Sequence, residues 1–229
     1  MPLSGKAARR AAALLAAGAF AALLPAPATA GYRDFGSDLS LPADRTEARH
    51  ADTVYWQTRL HGGGGIRVPR NGQIVAVRIK GIARSSPRAG VPGGETMFHI
   101  QALQPRRRGR VQVRLTSQAF FLPTTGDRQQ VTTYRPENLC VSRRQRIGFN
   151  TVGGWDGIPN GTGPYPNGTP LQIFGAAPRA RVAEYTADNG TNNGAVSKGR
   201  RRGGRELLMR LTLATGRDRS YECGGRTRR

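Results

Sequence analysis

Apolar and polar residues alternate with a period of two along most of this chain. Between 73 and 82, Val75, Val77 and Ile79 fall on one side and Arg78 and Lys80 on the other, the pattern of a strand with one buried face. An Asn71-Gly72 turn after Pro69 launches it. Residues 97–103 repeat the habit, with Phe98, Ile100 and Ala102 opposite His99 and Gln101, and 110–115 groups Val111, Val113 and Leu115. Shorter runs at 119–122, 131–134, 139–141 and 147–151, then 171–174 and 181–186, add further strands. In 206–213, Leu207, Met209, Leu211 and Leu213 alternate with Leu208, Arg210 and Thr212. Thr53-Val54-Tyr55-Trp56-Gln57 is rich in β-branched and aromatic residues and predicts a first strand.

Helix is nearly absent from this picture. After the first thirty residues no segment holds the i, i+3, i+4, i+7 apolar pattern over three turns, and Gly and Pro recur every few positions. About ten short strands without helical crossovers predict an all-β fold, an antiparallel β-sandwich of jelly-roll type with long Gly/Pro-rich loops. No internal repeat of the propeller or solenoid kind is visible.

The first thirty residues follow another logic. Lys6, Arg9 and Arg10 precede an uncharged Ala/Leu stretch, Pro25 and Pro27 interrupt it, and Ala28-Thr29-Ala30 supplies a small-x-small site. This is the plan of a cleavable signal peptide with cleavage after Ala30. The apolar run falls short of the roughly 20 residues a membrane-spanning helix needs. Arg9-Arg10 leaves the general secretory and twin-arginine routes both open. The expected organisation is a leader over 1–30, an extended lead-in over 31–52, and one β-sandwich domain over 53–229 ending in a basic tail. The product is expected outside the cytoplasm, monomeric and not membrane-spanning.

Two cysteines follow the leader, Cys140 and Cys223. In an oxidising compartment an even count predicts a bridge; two buried thiols are the alternative. No second Cys or His pair stands at metal-ligand spacing, so no metal or cofactor is expected. Charge then sharpens the picture. The whole chain holds 36 Lys and Arg against 14 Asp and Glu, and the leader removes only Lys6, Arg9 and Arg10. Nearly all the positive residues are arginine. Such a field favours anionic partners such as envelope polymers. Abundant Arg, Ala, Gly and Pro also fit GC-rich coding, which leaves a solvated basic surface as the plainer explanation.

Residues 66–81, Phe98-His99-Ile100-Gln101, 111–121, Leu139-Cys140-Val141, Ile147-Gly148-Phe149 and Gly153-Gly154 together resemble a loose family. Its members are secreted, single-domain β-sandwich proteins of high-GC bacteria, mostly without assigned function. Where that family often has a Gly-Asp turn before the strand at Ile147, this chain has Arg144-Gln145-Arg146. The resemblance implies the fold and no reaction.

Candidate chemistry is sparse. His50, His61 and His99 make no H-x-x-x-H pair, and no G-x-S-x-G elbow is present. Glu137 and Asp156 are carboxylates that folding could bring together, though their spacing does not select them. His99 is expected to face solvent from its strand. The loop from 153 to 170 sets Trp155, Asp156 and Tyr165 among Gly, Pro and Asn. Exposed aromatics beside polar groups suit sugar rings; the same rings turned inward would merely anchor the loop. The 188–194 run and its Asn-Gly-Thr triplets fit tight turns better than a calcium loop. Arginine clusters at 106–108, 143–144, 200–202 and 226–229 are expected at turns and ends, a basic periphery and not a base-stacking platform for specific nucleic-acid binding. The function these features support is a non-catalytic, envelope-associated extracellular domain able to contact polyanions. A carbohydrate-binding module using Trp155 and Tyr165 is the alternative, and a hydrolase comes third.

Overall fold

A computed structural model describes residues 31–47, 52–84, 96–154, 170–186 and 192–224. Its strands are β1 (Gly31–Gly36), β2 (Arg45–Glu47), β3 (Thr53–Arg59), β4 (Gly72–Lys80), β5 (Ile82–Ala83), β6 (Thr96–Pro105), β7 (Arg110–Thr116), β8 (Phe120–Leu122), β9 (Val131–Tyr134), β10 (Cys140–Val141), β11 (Arg146–Gly154), β12 (Leu171–Thr186), β13 (Val196–Lys198), β14 (Arg200–Leu207) and β15 (Met209–Thr215). Helix among the described residues is limited to three single 3-10 turns. None is long and apolar enough to cross a membrane.

The strands form two antiparallel sheets. The smaller runs β1-β15-β4-β10, with β9 also on β4; the larger runs β13-β7-β6-β11-β3-β12-β14, with β2, β5 and β8 at its margins. The core lies between them. Ile74, Val77, Ile79, Leu211 and Leu213 of the small sheet pack against Tyr55, Phe98, Ile100, Phe149 and Phe174 of the large one. Phe98 stacks on Phe149 at 4.7 Å between ring centroids and meets Tyr134 edge-on at 4.9 Å, geometries that add to the burial of their apolar area. This is the expected sandwich.

Register refines it in three places. In β4 the ladder to β15 shifts between Ala76 and Ile74, so Ile74 takes the core place that strict alternation gives to Val75, which is half-buried outside the core cluster. A bulge inserts one residue and exchanges the faces beyond it. The runs 171–174 and 181–186 are one bent strand, β12, with Pro178 inside the irregular stretch between Ala176 and Arg181. The 206–213 run changes sheets at Leu208: its amide donates to the Ile173 carbonyl of the large sheet, while its own carbonyl accepts from Lys80 of the small one. Leu207, Met209, Leu211 and Leu213 stay on the core side throughout.

Residues 31–47 supply two strands. β1 pairs with β15 over all six residues, yet Tyr32, Arg33 and Asp34 are exposed. An edge strand is held by its backbone, so its side chains show no apolar period. The disulfide is formed, with Cα atoms of Cys140 and Cys223 5.1 Å apart. It fastens the 3-10 turn Tyr221–Cys223 to β10 at the margin of the small sheet.

The large sheet also closes on itself. β13 pairs with β7 at one end of the strand order and β14 pairs with β12 at the other, and only Gly199 separates them. One continuous segment thus bridges both margins and curls six lanes into a barrel: β7, β6, β11, β3, β12 and the β13–β14 segment. Its interior is a second apolar cluster of Val54, Trp56, Leu103, Val111, Val113, Ala183 and Tyr185. Glycine is required where the closing segment crosses: a Cβ on Gly199 would stand 2.4 and 2.5 Å from two ring carbons of Trp56.

Candidate functional site

Two-residue alternation decides which side chains enter the barrel. Gly148 and Arg146 continue the inward row of Asn150 on β11, Thr58 follows Trp56 on β3, Pro105 follows Leu103 on β6, and Arg201 follows Gly199. At this end the barrel opens into a hollow of about 230 Å³. Its wall holds Trp56, Thr58, Pro105, Val111, Ala183 and Gly199, and its cationic groups are Arg67, Arg106, Arg110, Arg146 and Arg201. Arg106 and Arg110 flank the 3-10 turn Arg107–Gly109, whose Arg108 and Gly109 adopt left-handed backbone angles (φ 57° and 72°). Arg67 comes from the segment between β3 and β4. Among the described residues, no carboxylate lines this hollow.

Arg146 is the deepest of the five. It is half-buried while the other four are exposed, and its Nη1 donates to the Gln57 carbonyl at 2.7 Å. Burial, with the positive charges of Arg67 and Arg201 nearby, pulls its pKa down to about 10. It therefore stays charged at neutral pH, in a place that disfavours the charge. Some arginines elsewhere are paired with acids: Arg202 meets Glu184 at 2.8 Å, Arg210 meets Asp34 at 2.9 Å, and Arg205 is bonded to Glu47. The mouth gathers five like charges with no acid in its lining among the described residues.

The opposite part of the barrel interior is polar in a different way. Asn150 is fully buried, and neither its side-chain oxygen nor its nitrogen has a hydrogen-bond partner among the described residues. The Tyr185 hydroxyl is also without a partner there, and burial, reinforced by the Asp52 charge, raises its pKa to about 12. Trp56, Leu103 and Val113 belong to the apolar cluster of the same interior.

Two further hollows, of about 270 and 380 Å³, share Leu60, His61 and Gly62 to Gly64. The first brings His61 together with Asp38 and Glu206, the kind of cluster a hydrolase would need. The contacts are structural: the backbone amide of His61 donates to Glu206 Oε2 at 2.7 Å, and Asp38 accepts from the Ser40 hydroxyl at 2.6 Å and its amide at 2.9 Å. Those Ser40 bonds lower the pKa of Asp38 and hold it ionised, not poised as an acid. Among the described residues, no group of three or more His, Cys, Asp or Glu is placed to hold a metal ion.

Of the sequence candidates, Trp155, Asp156 and Tyr165 lie outside the described residues, as do Ala30, His50 and the 226–229 cluster. His99 is half-buried, its Nδ1 2.8 Å from the Ser117 carbonyl, and does not simply face solvent. The arginine clusters at 106–108 and 143–144 fall at turns, whereas 200–202 lies in strand β14. Folding brings one member each of the first and third, Arg106 and Arg201, to the barrel mouth. Sequence reasoning missed this site; the available signal was Arg146 two residues before Gly148, the parity that points inward.

Fold and site together define a class: an antiparallel, disulfide-bonded β-sandwich with an arginine-lined hollow at the open end of its curled sheet. No family model, no curated protein and no solved structure matches this chain.

Proposed function

We propose that this protein is an exported, non-catalytic β-sandwich that works in the cell envelope, where its basic surface contacts anionic polymers. The observation that carries this is the barrel mouth: five guanidinium groups around one hollow and, among the described residues, no acid in its lining. Holding like charges together opposes folding, and an anion in their midst recovers that energy. Export rests on the leader pattern over 1–30 and on the Cys140–Cys223 bridge, which belongs to oxidising compartments. The resemblance to secreted β-sandwich proteins of high-GC bacteria accords with it.

Retention on a polyphosphate matrix tests the reading. The protein binds at about 50 mM salt and elutes well before about 500 mM, because contacts between exposed charges are screened within a Debye length and counterion release opposes binding as salt rises. Retention that does not change across that range refutes it.

A further inference from the structure

We propose that the barrel mouth seats one phosphomonoester group, gripped by Arg146 from below and by Arg67, Arg106, Arg110 and Arg201 around the rim. This rests on the polyanion reading above and narrows it from a diffuse surface to one stoichiometric site.

The argument starts from charge and shape. A carboxylate or phosphodiester brings a single negative charge to five cations. A phosphomonoester brings close to two at neutral pH and three terminal oxygens that accept hydrogen bonds from several directions. Guanidinium forks match such oxygens bidentately. The five arginines come from β11, from β14, from the β6–β7 turn and its flank, and from the segment before β4, so they surround a group instead of lining one side of a strand-shaped groove. The hollow's volume of about 230 Å³ is below the roughly 300–1,000 Å³ of sites that enclose drug-sized ligands. It admits a phosphate and the first carbon unit attached to it, with the remainder of any larger molecule outside. Trp56, Pro105, Val111 and Ala183 give it apolar wall, which limits solvation beneath the anion and strengthens each charged contact.

Arg146 is the residue built for this role. Its Gln57 contact uses one of five N–H donors and fixes the side chain, leaving the others for a ligand. The exposed rim arginines lend charge and close over it.

Calorimetric titration of the full mature chain with glycerol 1-phosphate, inorganic phosphate, dimethyl phosphate and acetate tests the proposal. Saturable one-to-one binding of the monoester is expected, with dimethyl phosphate and acetate at least about tenfold weaker. Affinity should fall below about pH 6, where the monoester loses its second charge. Arg201→Gln and Arg146→Gln should each weaken binding about tenfold or more, the scale of one charged hydrogen bond. Arg128→Gln, at an exposed position outside the hollow, should leave it unchanged. Arg201 is exposed, so its variant stays informative if Arg146→Gln fails to fold. A monoester that binds more tightly than inorganic phosphate points to an esterified source, and equal affinities point to the free ion; both sustain the seat. Absence of saturable binding, or equal weakening by Arg128→Gln, overturns it. Salt-sensitive retention on polyphosphate surviving that result would leave the broader reading standing and remove only this one.

Discussion

Closure of the large sheet depends on one missing methyl group, and a double-mutant cycle measures it. A Cβ at Gly199 would lie 2.4 and 2.5 Å from two Trp56 ring carbons, where ordinary contact begins near 3.4 Å, so ring or closing segment must move by about 1 Å. Trp56 has little room to move: it is 3% exposed and packs on Tyr185 at 5.8 Å between centroids. Overpacking of this kind costs about 1–3 kcal/mol. Replacing glycine by alanine also restricts the unfolded chain, which returns about 0.4–1 kcal/mol. The clash wins, so Gly199→Ala should lower Tm by a few degrees, at roughly 2–4 °C per kcal/mol for a chain of this size. In a Trp56→Leu background the two ring atoms are gone and only the unfolded-state term remains. There Gly199→Ala should be neutral or slightly stabilising, a coupling of about 1–3 kcal/mol. Thermal or urea unfolding of the four proteins reads it directly. Additive effects, with the same penalty in both backgrounds, would refute the claim that the β13–β14 segment rests on Trp56.

Other consequences follow from the bridge and from the buried phenols. Replacing Cys140 and Cys223 by serine frees a segment with a sequence separation of 83; the chain-entropy relation puts the loss at about 4–5 kcal/mol. An unchanged melting temperature for that variant, or for wild type in reductant, would contradict the bridge's role. Burial raises the pKa of Tyr134 to about 12 from about 10 in the unfolded chain, so its neutral form favours the folded state fully below pH 10 and progressively less between 10 and 12. Wild type should therefore lose stability relative to Tyr134→Phe as pH rises through that window, in parallel urea titrations. A difference that stays constant with pH would show that the phenol is not desolvated.

Much of the fold was legible because burial on one face imposes its own signature. In β6 and β11 a row of every second residue enters the shared core (Phe98, Ile100 and Ala102; Ile147 and Phe149). In β7 Val111 and Val113 do the same for the second cluster, and β3, buried on both faces, reads as a continuous β-branched and aromatic run. β1, β13 and most of β14 carry no such mark. The closing stretch Arg200 to Arg205 reads as a charged turn because its outward side chains are solvated and its ladder is made by backbone atoms alone. The bulge in β4 was hidden for a related reason: Ile74 and Val75 are both apolar, and only the partner strand decides which one turns inward.

The site was less legible than the fold. Arg67, Arg106, Arg110, Arg146 and Arg201 are spread over 134 positions of sequence, and nothing in their local spacing sets them apart from the other arginines. By itself the sequence determined strand content, the presence of two lone cysteines able to bridge and the excess of positive charge, because each is a local or compositional property. Tertiary structure alone decided that the large sheet curls shut over Trp56 and that five guanidiniums share one hollow with no carboxylate in its lining among the described residues. Both depend on which distant strands become neighbours, and backbone hydrogen bonding between edges leaves almost no trace in side-chain pattern.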